Sequence, residues 1–440
     1  MSRDTIEAIY RDRTPTSRQL FEEGRSVNAG AAKGAYFHAP YPLTLRRAEG
    51  CELEDVDGNT YADFSNHHTS QVLGHNHPAI LDAIQQQIND GIAMGSATGI
   101  ETRMARLMCE RVESLERVRF VNSGTEATLH AIRLARCISG KPKVAKFEGA
   151  YHGSHDAVEI SVAPPLDDVG EASDPIAVPT AGGMAPDVHE QTIILPYHDL
   201  ESVERILTRH KDELACVMLD PKAGIIPIQP EFMRRIREVT RDLGILLVFD
   251  EIVAFRQSAG GLQGNVRFDP DLTCFGKIIG GGFPVGAYGG RADIMDLVDN
   301  TEGAASVFQS GTHSGHAVAM AAGIATLETL TDDAYAHLNG LGQRLKRGLD
   351  TMCADKGIVA QTVVTGSVFG IHFGIDKLEN YRDFARADKA LAQSMFLSLL
   401  NQGYFLAQGL SMCAISLPTG ESHIDSLIAA ISTAYDDANE

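Results

Sequence analysis

Short apolar runs alternate with longer amphipathic stretches through the middle of the chain. Seven of these runs are predicted as strands, at residues 118–121, 144–147, 192–195, 215–219, 245–249, 272–275 and 286–288. Stretches between several of them have helical periodicity, at residues 125–136, 200–210 and 230–242. Strands that alternate with helices predict an α/β fold built on a largely parallel, doubly wound sheet.

The pattern changes on either side of this region. Residues 1–60 begin with a helical arm and contain a β-hairpin at 52–61 that turns at Asp57-Gly58-Asn59. Near the other end, helices and short strands predict an α+β lobe, at residues 338–352, 358–364, 368–373 and 423–434. We therefore expect an N-terminal arm with part of a small domain, a large domain and the remainder of the small domain, at residues 1–60, 61–325 and 326–440.

Composition and charge narrow the classes of function. The 440 residues carry a formal net charge of −20, which argues against binding to nucleic acid or to an anionic membrane surface. The N-terminus lacks the apolar core of a signal peptide, and no apolar run reaches the roughly 18 residues of a membrane helix. The seven cysteines form no CxxC pair, which is typical of free thiols in a reducing compartment. We expect a cytoplasmic protein.

One acid and one lysine have unusual surroundings. Asp250 follows the apolar run that ends in Phe249, so we expect it at the carboxyl end of a strand, where open α/β sheets bind ligands. Lys277 lies among apolar residues just before a glycine triplet, and partial burial there would favour the neutral amine that forms Schiff bases. This pair suits pyridoxal phosphate (PLP), with Lys277 on the aldehyde and Asp250 on the pyridine nitrogen. Taken alone, it also fits a capping acid and a solvated lysine.

A polar turn connects the strand at 118–121 to the following helix. Ser123, Gly124 and Thr125 lie where free backbone N–H groups and the helix dipole favour a phosphate. The same residues fit a plain capping box, with Glu126 three positions after Ser123, and the two interpretations are compatible. A second small polar turn, at Gly311-Thr312, is another candidate for phosphate binding or helix capping.

Two further side chains are candidates for contact with a pyridine ring. Tyr151, in the sequence Tyr151-His152-Gly153, follows the strand at 144–147 and is expected to stack on one ring face. Ile252 would cover the other face. The alternatives are a half-buried tyrosine and ordinary core packing. His75 and His77 lack acid or cysteine partners at ligand spacing, so we expect a structural turn there and no metal site.

Several of these motifs together resemble class III PLP-dependent aminotransferases, most of all the branch of glutamate-1-semialdehyde aminomutase and the β-amino acid transaminases. The motifs that carry the resemblance, in order, are Asn122-Ser123-Gly124-Thr125-Glu126-Ala127, Tyr151-His152-Gly153, Asp250-Glu251-Ile252, Gly276-Lys277-Ile278-Ile279-Gly280-Gly281-Gly282 and Gly311-Thr312. The resemblance implies PLP fold type I, with a seven-stranded large domain and a small domain from both chain ends. It also implies a homodimer with active sites at the interface.

The resemblance implies roles for individual residues. Lys277 forms the Schiff base with PLP and moves the proton, and Asp250 pairs with the ring nitrogen. Tyr151 stacks on the ring opposite Ile252, and His152 lies beside the cofactor. Ser123, Gly124 and Thr125 bind the phosphate of the cofactor, and Thr312 reaches the phosphate bound in the neighbouring subunit.

The substrate side of the resemblance is weaker. Lys33 stands where the aminomutases carry an arginine that binds a substrate carboxylate. The aminomutases also carry a glutamate near the last strand motif, whereas residues 410–417 of this chain contain no acidic residue. Lys222 and Arg256 lie in stretches that depart from the family pattern, so all three cations are candidate substrate-binding residues. The leading hypothesis is ping-pong transamination between an amine or amino acid, with β-amino acids as one candidate, and a keto acid or aldehyde. An aminomutase and an ammonia- or phospho-lyase are the alternatives.

Overall fold

The protein is described by a computed structural model that covers residues 1–30, 37–301 and 303–439. Its strands are β1 (Leu45–Glu49), β2 (Glu52–Asp55), β3 (Thr60–Asp63), β4 (Arg117–Val121), β5 (Lys143–Phe147), β6 (Gly170–Glu171), β7 (Asp174–Pro175), β8 (Thr192–Leu195), β9 (Leu214–Leu219), β10 (Leu246–Asp250), β11 (Leu272–Gly276), β12 (Gly286–Gly290), β13 (Ala360–Thr365), β14 (Val368–Phe373), β15 (Tyr404–Phe405) and β16 (Cys413–Ala414). Its helices are α1 (Arg3–Arg13), α2 (Pro15–Gly24), the single turn α3 (Asn66–Thr69), α4 (Pro78–Asp90), α5 (Gly99–Arg111), α6 (Gly124–Ser139), α7 (Leu200–His210), α8 (Pro230–Asp242), α9 (Gly261–Val266), α10 (Ala292–Met295), α11 (Ala317–Thr329), α12 (Asp332–Lys356), α13 (Tyr381–Ala385), α14 (Lys389–Asn401) and α15 (Glu421–Asn439).

The largest sheet has the strand order β4-β12-β11-β10-β9-β5-β8. The strand β12 runs antiparallel to β11 and β4, and the pairs from β11 to β8 are parallel. The short link from β11 to β12 leaves no room for a crossover helix, which explains the reversed direction of β12. All seven predicted strands fall in this sheet, so the predicted α/β fold with a largely parallel sheet is confirmed.

Helices cover both faces of the large sheet. Every residue of β9 is buried. Val217 and Leu219 pack with residues of α7 and α8, whereas Cys216 and Met218 pack with residues of α6 on the opposite face. A strand covered on both faces is apolar at every position, which is why the runs are visible in the sequence. This layer fixes the residues that follow the carboxyl ends of β9, β10 and β11.

Segments from both ends of the chain form a smaller α+β part. The strand β15 joins the N-terminal hairpin in parallel, with Tyr404 opposite Ala62 and Phe405 opposite Asp63. The resulting sheet is β1-β2-β3-β15, and β13, β14 and β16 form a second sheet. The small domain built from both chain ends is confirmed, whereas its boundaries at residues 60 and 325 remain predictions.

Some elements are not predicted by the sequence pattern. The helix α14 is buried along 394–400, so its sequence has no polar face and no helical period to detect. The N-terminal arm divides into α1 and α2 because Pro15 occupies the first turn of a new helix. The helix α5 and the strand β1 are also additions to the prediction.

The turn α3 has left-handed backbone. The φ angles of Asn66–Thr69 lie between 50° and 70°, a conformation that costs L-residues about 1–2 kcal/mol each, although Asn and His tolerate it better than most. Contacts from outside hold the turn. The carboxylate of Asp63 accepts the N–H groups of Ser65 and Asn66, each at 2.9 Å. The amide of Asn66 donates to the carbonyl of Ala414 at 2.6 Å.

Residues 162–190 belong to a long connection between β5 and β8, with the short pair β6–β7 inside it. Arg382 ties this connection to the end of β5. Its guanidinium donates to both carboxylate oxygens of the buried Glu148, at 3.0 and 3.1 Å. It also donates to main-chain carbonyls of the connection, those of Val169, Gly170 and Glu171. The guanidinium of Arg382 therefore links the long connection to the end of β5.

Two other expectations concern the state of the cysteines and the presence of membrane-spanning helices. All seven cysteines are free thiols, and Cys137 is exposed whereas Cys216, Cys274, Cys353 and Cys413 are buried. Across the described ranges, no helix combines the length and apolar character that crossing a bilayer requires.

Candidate active site

Lys277 and Asp250 lie at the carboxyl ends of adjacent parallel strands. Asp250 is the last residue of β10 and is opposite Cys274 of β11, which Lys277 follows by three positions. The Lys277 amine is half-buried and donates to the carbonyl oxygen of His68 at 2.9 Å. Burial lowers the pKa of this amine to about 8, and the charge of Asp250 opposes that shift. Lys277 also has a φ of +52°, so its backbone takes a conformation that is uncommon for a lysine.

The buried Asp250 carboxylate has two fixed donors. His152 Nδ1 lies 2.7 Å from Asp250 Oδ2, and the backbone N–H of Ile252 donates to Asp250 Oδ1 at 3.1 Å. An ionised carboxylate has about four acceptor positions, so Asp250 can accept a further N–H group, such as that of a protonated pyridine. The paired histidine fixes the orientation of the carboxylate.

The first turn of α6 is capped by Ser123, with Glu126 reaching back to the residue before the cap, and it also presents free donors. Ser123 Oγ accepts the N–H of Glu126 at 3.1 Å, and the Glu126 carboxylate accepts the N–H of Asn122 at 2.8 Å. The N–H groups of Gly124 and Thr125 belong to the first turn, where a helix offers no backbone acceptor. Both interpretations of this stretch are therefore compatible with the geometry, and the turn fits a phosphate group.

Glycines bring the parts of the site into close contact. A Cβ on Gly124 would lie 2.6 Å from Ile252 Cδ1, so Ile252 packs directly on the start of α6. A Cβ on Gly286, in β12, would lie 2.0 Å from the carbonyl oxygen of Ser123. A β-carbon at Gly286 would meet main-chain atoms that cannot move aside, whereas one at Gly124 would displace the end of the Ile252 side chain. The start of α6, the end of β10 and β12 therefore form one tight cradle.

Two predicted cofactor contacts lie at the protein surface of the single chain. Tyr151 is 54% exposed, and its hydroxyl lies 3.3 Å from Ser154 Oγ. Thr312 is also exposed. The adjacent His152 is buried, so the segment turns one side chain towards Asp250 and the next towards the surface.

The three cationic side chains predicted to bind substrate lie in different surroundings. Lys33 lies outside the described residues. Lys222 is buried, and its ammonium donates to the carbonyl of Gly149 at 2.8 Å. Arg256 is fully buried and donates to Ser367 Oγ at 3.0 Å and to the carbonyls of Thr69 and Ile415 at 2.8 and 2.5 Å. Both side chains donate to groups of the protein, and a role for Lys222 and Arg256 in substrate binding stays a prediction.

A buried lysine and a partly buried aspartate beside the site are not among the predicted site residues. Lys146 is fully buried in β5, and burial lowers the pKa of its ammonium to about 7. Asp220 follows β9 as Asp250 ends β10, and burial raises the pKa of its carboxyl. The sequence signal that could have identified Lys146 is a lysine within a predicted buried strand. The signal for Asp220 is its position directly after a strand.

Comparisons with known proteins agree with this geometry. The model of the class III aminotransferase family matches residues 35–433. A glutamate-1-semialdehyde 2,1-aminomutase of Desulfosudis oleivorans is 38% identical over 93% of this chain and 94% of its own. An omega-transaminase of Sphaerobacter thermophilus is 38% identical with a TM-score of 0.93, over 96% of this chain and 98% of its own. A β-phenylalanine aminotransferase of Variovorax paradoxus is 34% identical with a TM-score of 0.88, over 100% of this chain and 98% of its own.

These matches span nearly the whole chain, and its fold agrees with that of both solved relatives. The predicted resemblance and the predicted cofactor are therefore confirmed. The chain belongs to the class III aminotransferases, enzymes that depend on pyridoxal phosphate.

Proposed function

We propose that the protein is an aminotransferase that moves an amino group from an amino acid or amine to a keto acid or aldehyde, in two half-reactions that share Lys277. The observation that carries the proposal is the Lys277 amine, half-buried with a pKa near 8 and placed one strand away from the buried Asp250 carboxylate. An amine of this kind is neutral in a useful fraction of molecules near neutral pH, as a nucleophile and a general base both require.

The cradle described above suits PLP part by part. Ser123, Gly124 and Thr125 would hold the phosphate at the start of α6. Asp250 would accept the N–H of the pyridine ring, with His152 holding the carboxylate. When bound, PLP supplies an electron sink for the carbon that carries the amine.

The residues of the chain have distinct tasks in this reaction. Asp250, a carboxylate held by two donors, stabilises positive charge on the ring nitrogen. In the first half-reaction, Lys277 Nζ takes a proton from the donor carbon that carries the amine. In the second half-reaction, it delivers a proton to the corresponding carbon of the acceptor. Ile252, packed on Gly124, covers one ring face, and Tyr151 covers the other. Both exclude water from the reacting carbon.

We also propose a homodimer in which each site is completed by the neighbouring subunit. Tyr151 and Phe308 are exposed by 54% and 79% in the single chain, and Thr312 is exposed as well. Large apolar side chains on and just after α4 are exposed too, namely Leu81, Ile88, Ile92 and Met94. Exposed apolar surface of this kind is typical of a subunit interface.

The identity of the substrate rests on relatives. The names of two of them refer to an omega-transaminase and a β-phenylalanine aminotransferase, which supports a β-amino acid or an amine as the donor. The 38% identical aminomutase supports a second candidate, transfer of the amine within one molecule. Residues 410–417 carry no acid, which favours transamination over the aminomutase reaction.

The test is a screen of the first half-reaction. Purified enzyme with PLP is mixed with α-, β- and ω-amines in the absence of any acceptor, and cofactor spectra and free ammonia are recorded. Stoichiometric conversion of PLP to pyridoxamine phosphate supports transamination and identifies the donor class. Sustained ammonia release with an unchanged PLP spectrum would indicate a lyase. Isomerisation of an amino aldehyde to an amino ketone, without an added acceptor, would indicate an aminomutase. Lys277→Ala is the control, and sustained turnover by this variant would contradict the proposal.

A further inference from the structure

The segment 149–153 follows β5, lies outside the sheet and contains Tyr151 and His152, the two residues proposed to face the cofactor. Its main-chain carbonyls are bonded by side chains. Lys222 Nζ donates to the carbonyl of Gly149 at 2.8 Å, and Lys146 Nζ donates to that of Ala150 at 2.7 Å. Thr128 Oγ1 donates to the carbonyl of His152 at 2.6 Å. Two buried ammonium groups thus supply donors that a neighbouring strand would supply elsewhere.

The two lysines come from neighbouring strands. Lys146 is in β5, and Lys222 follows β9, which pairs with β5. Lys146 is fully buried and Lys222 is 6% exposed. Burial lowers the pKa of both ammonium groups, and the charge of Lys222 lowers the pKa of Lys146 further. Placing two like charges together inside a protein is unfavourable, so their partners must offset the loss of hydration.

Lys222 makes the more specific set of contacts. Its backbone has a φ of +48°, and its N–H donates to Asp220 Oδ1 at 2.8 Å. Its ammonium lies 3.8 Å from Asp220 Oδ2 while donating to Gly149. The charges of Asp220 and Asp250 raise the pKa of Lys222 against the effect of burial. Lys222 therefore links the end of β9 to the carbonyl that precedes Ala150 and Tyr151.

We infer that Lys222 is a positioning residue for the cofactor: by holding the Gly149 carbonyl, it sets Tyr151 against the ring and His152 against Asp250. The inference rests on the proposed function, in which these residues face PLP. It assigns Lys222 no contact with substrate, because its ammonium is buried and bonded to the protein. The position bears on ring orientation since only two residues separate Gly149 from His152.

A positioning role and a merely structural role differ in what the bound cofactor reports. The circular dichroism of bound PLP in its visible absorption band depends on how the ring is held, whereas thermal stability responds to any lost contact. The measurements are therefore the visible circular dichroism and the PLP dissociation constant of the full-length holoenzyme. Neither needs turnover.

The main variant is Lys222→Met, which keeps an unbranched side chain at the left-handed backbone position and removes the donor. Lys222→Gln is the second variant. Its donor is one bond shorter and falls short of the Gly149 carbonyl, while its polar amide tolerates the buried site if methionine prevents folding. Lys141→Met is the matched control, since Lys141 also donates to a main-chain carbonyl, that of Lys211 at 2.7 Å, at an exposed site.

We expect Lys222→Met to bind PLP about tenfold more weakly, the loss of one hydrogen bond from a charged donor, and to show reduced visible circular dichroism. Lys222→Gln changes in the same direction, since its donor does not reach the Gly149 carbonyl either, and Lys141→Met matches the wild type. Wild-type circular dichroism and PLP affinity in both Lys222 variants, with only a lower melting temperature, would overturn the inference. Failure of the wild-type enzyme to bind PLP would instead refute the proposed function itself.

Discussion

In the candidate site the strand β12 packs directly against the start of α6, and Gly286→Ala tests this contact. The added Cβ would lie 2.0 Å from the carbonyl oxygen of Ser123 and 2.5 Å from its carbonyl carbon. These atoms belong to the main chain and cannot rotate away. The Ser123 carbonyl also accepts the N–H of Ala127 at 3.1 Å, one of the first hydrogen bonds of α6.

The size of the effect follows from this distance. Ordinary contacts of a Cβ begin near 3.4 Å, so β12 and the first turn of α6 must separate by about 1 Å or more. Overpacking of this degree typically costs about 1–3 kcal/mol, and a displacement of about 1 Å at a binding site can cost a hundredfold. We expect Gly286→Ala to bind PLP about 10- to 100-fold more weakly, because the N–H groups of Gly124 and Thr125 move with the turn.

The assay is a PLP titration of the apoenzyme, followed by cofactor absorbance and repeated in urea to record stability. Gly340→Ala is the matched control. Gly340 lies in α12 with no atom within 4 Å of an added Cβ, so this variant should keep wild-type affinity and gain slightly in stability, since alanine favours helix over glycine. PLP affinity within about twofold of wild type in Gly286→Ala would refute the assignment of this turn as the phosphate site.

Three further predictions concern single residues. PLP attachment to the apoenzyme should accelerate about tenfold per pH unit up to about pH 8 and then level off, because the lowered pKa of Lys277 leaves more neutral amine as pH rises; stopped-flow absorbance measures the rate, and a flat profile contradicts the shift. Asp250→Asn should lower kcat/KM by about a hundredfold or more, because a neutral amide replaces the charge proposed for the ring nitrogen; steady-state kinetics with the donor found in the screen measure the loss, and a change below about threefold contradicts it. Arg256→Met should destabilise the holoenzyme by about 3–5 kcal/mol, because two buried carbonyls and a hydroxyl lose their donor; an unchanged urea midpoint would show that these bonds contribute little.

The large sheet is predictable because its strands are covered on both faces. In β9 and β10 the apolar side chains continue at every position until an acid follows or ends the strand, at Asp220 and Asp250. The position of a residue relative to a strand end decides which edge of the sheet it occupies. For the same reason, Asp250 and Lys277 can be placed at one edge from the sequence alone.

The contacts that fix the loops of the site are different, because they join residues far apart in the chain. Lys222 bonds to Gly149, and Arg256 bonds to Thr69 and Ile415. No local pattern contains these partners, which meet only when β5, β9 and the small domain come together. The sequence therefore suggests a substrate anion for both cations, whereas the fold provides main-chain carbonyls.

The left-handed turn Asn66–Thr69 bears on the order in which the protein reaches its native state. Its own residues favour right-handed backbone by roughly 1–2 kcal/mol each, so contacts with other segments are needed to stabilise its shape in a newly made chain. Asp63, just before the turn, supplies one selecting group. The other two, Arg256 and the carbonyl of Ala414, come from distant segments. We therefore expect the His68 carbonyl, which accepts a hydrogen bond from Lys277, to reach its native position late in folding. The chain would then become competent for its cofactor only after its two ends have assembled into one domain.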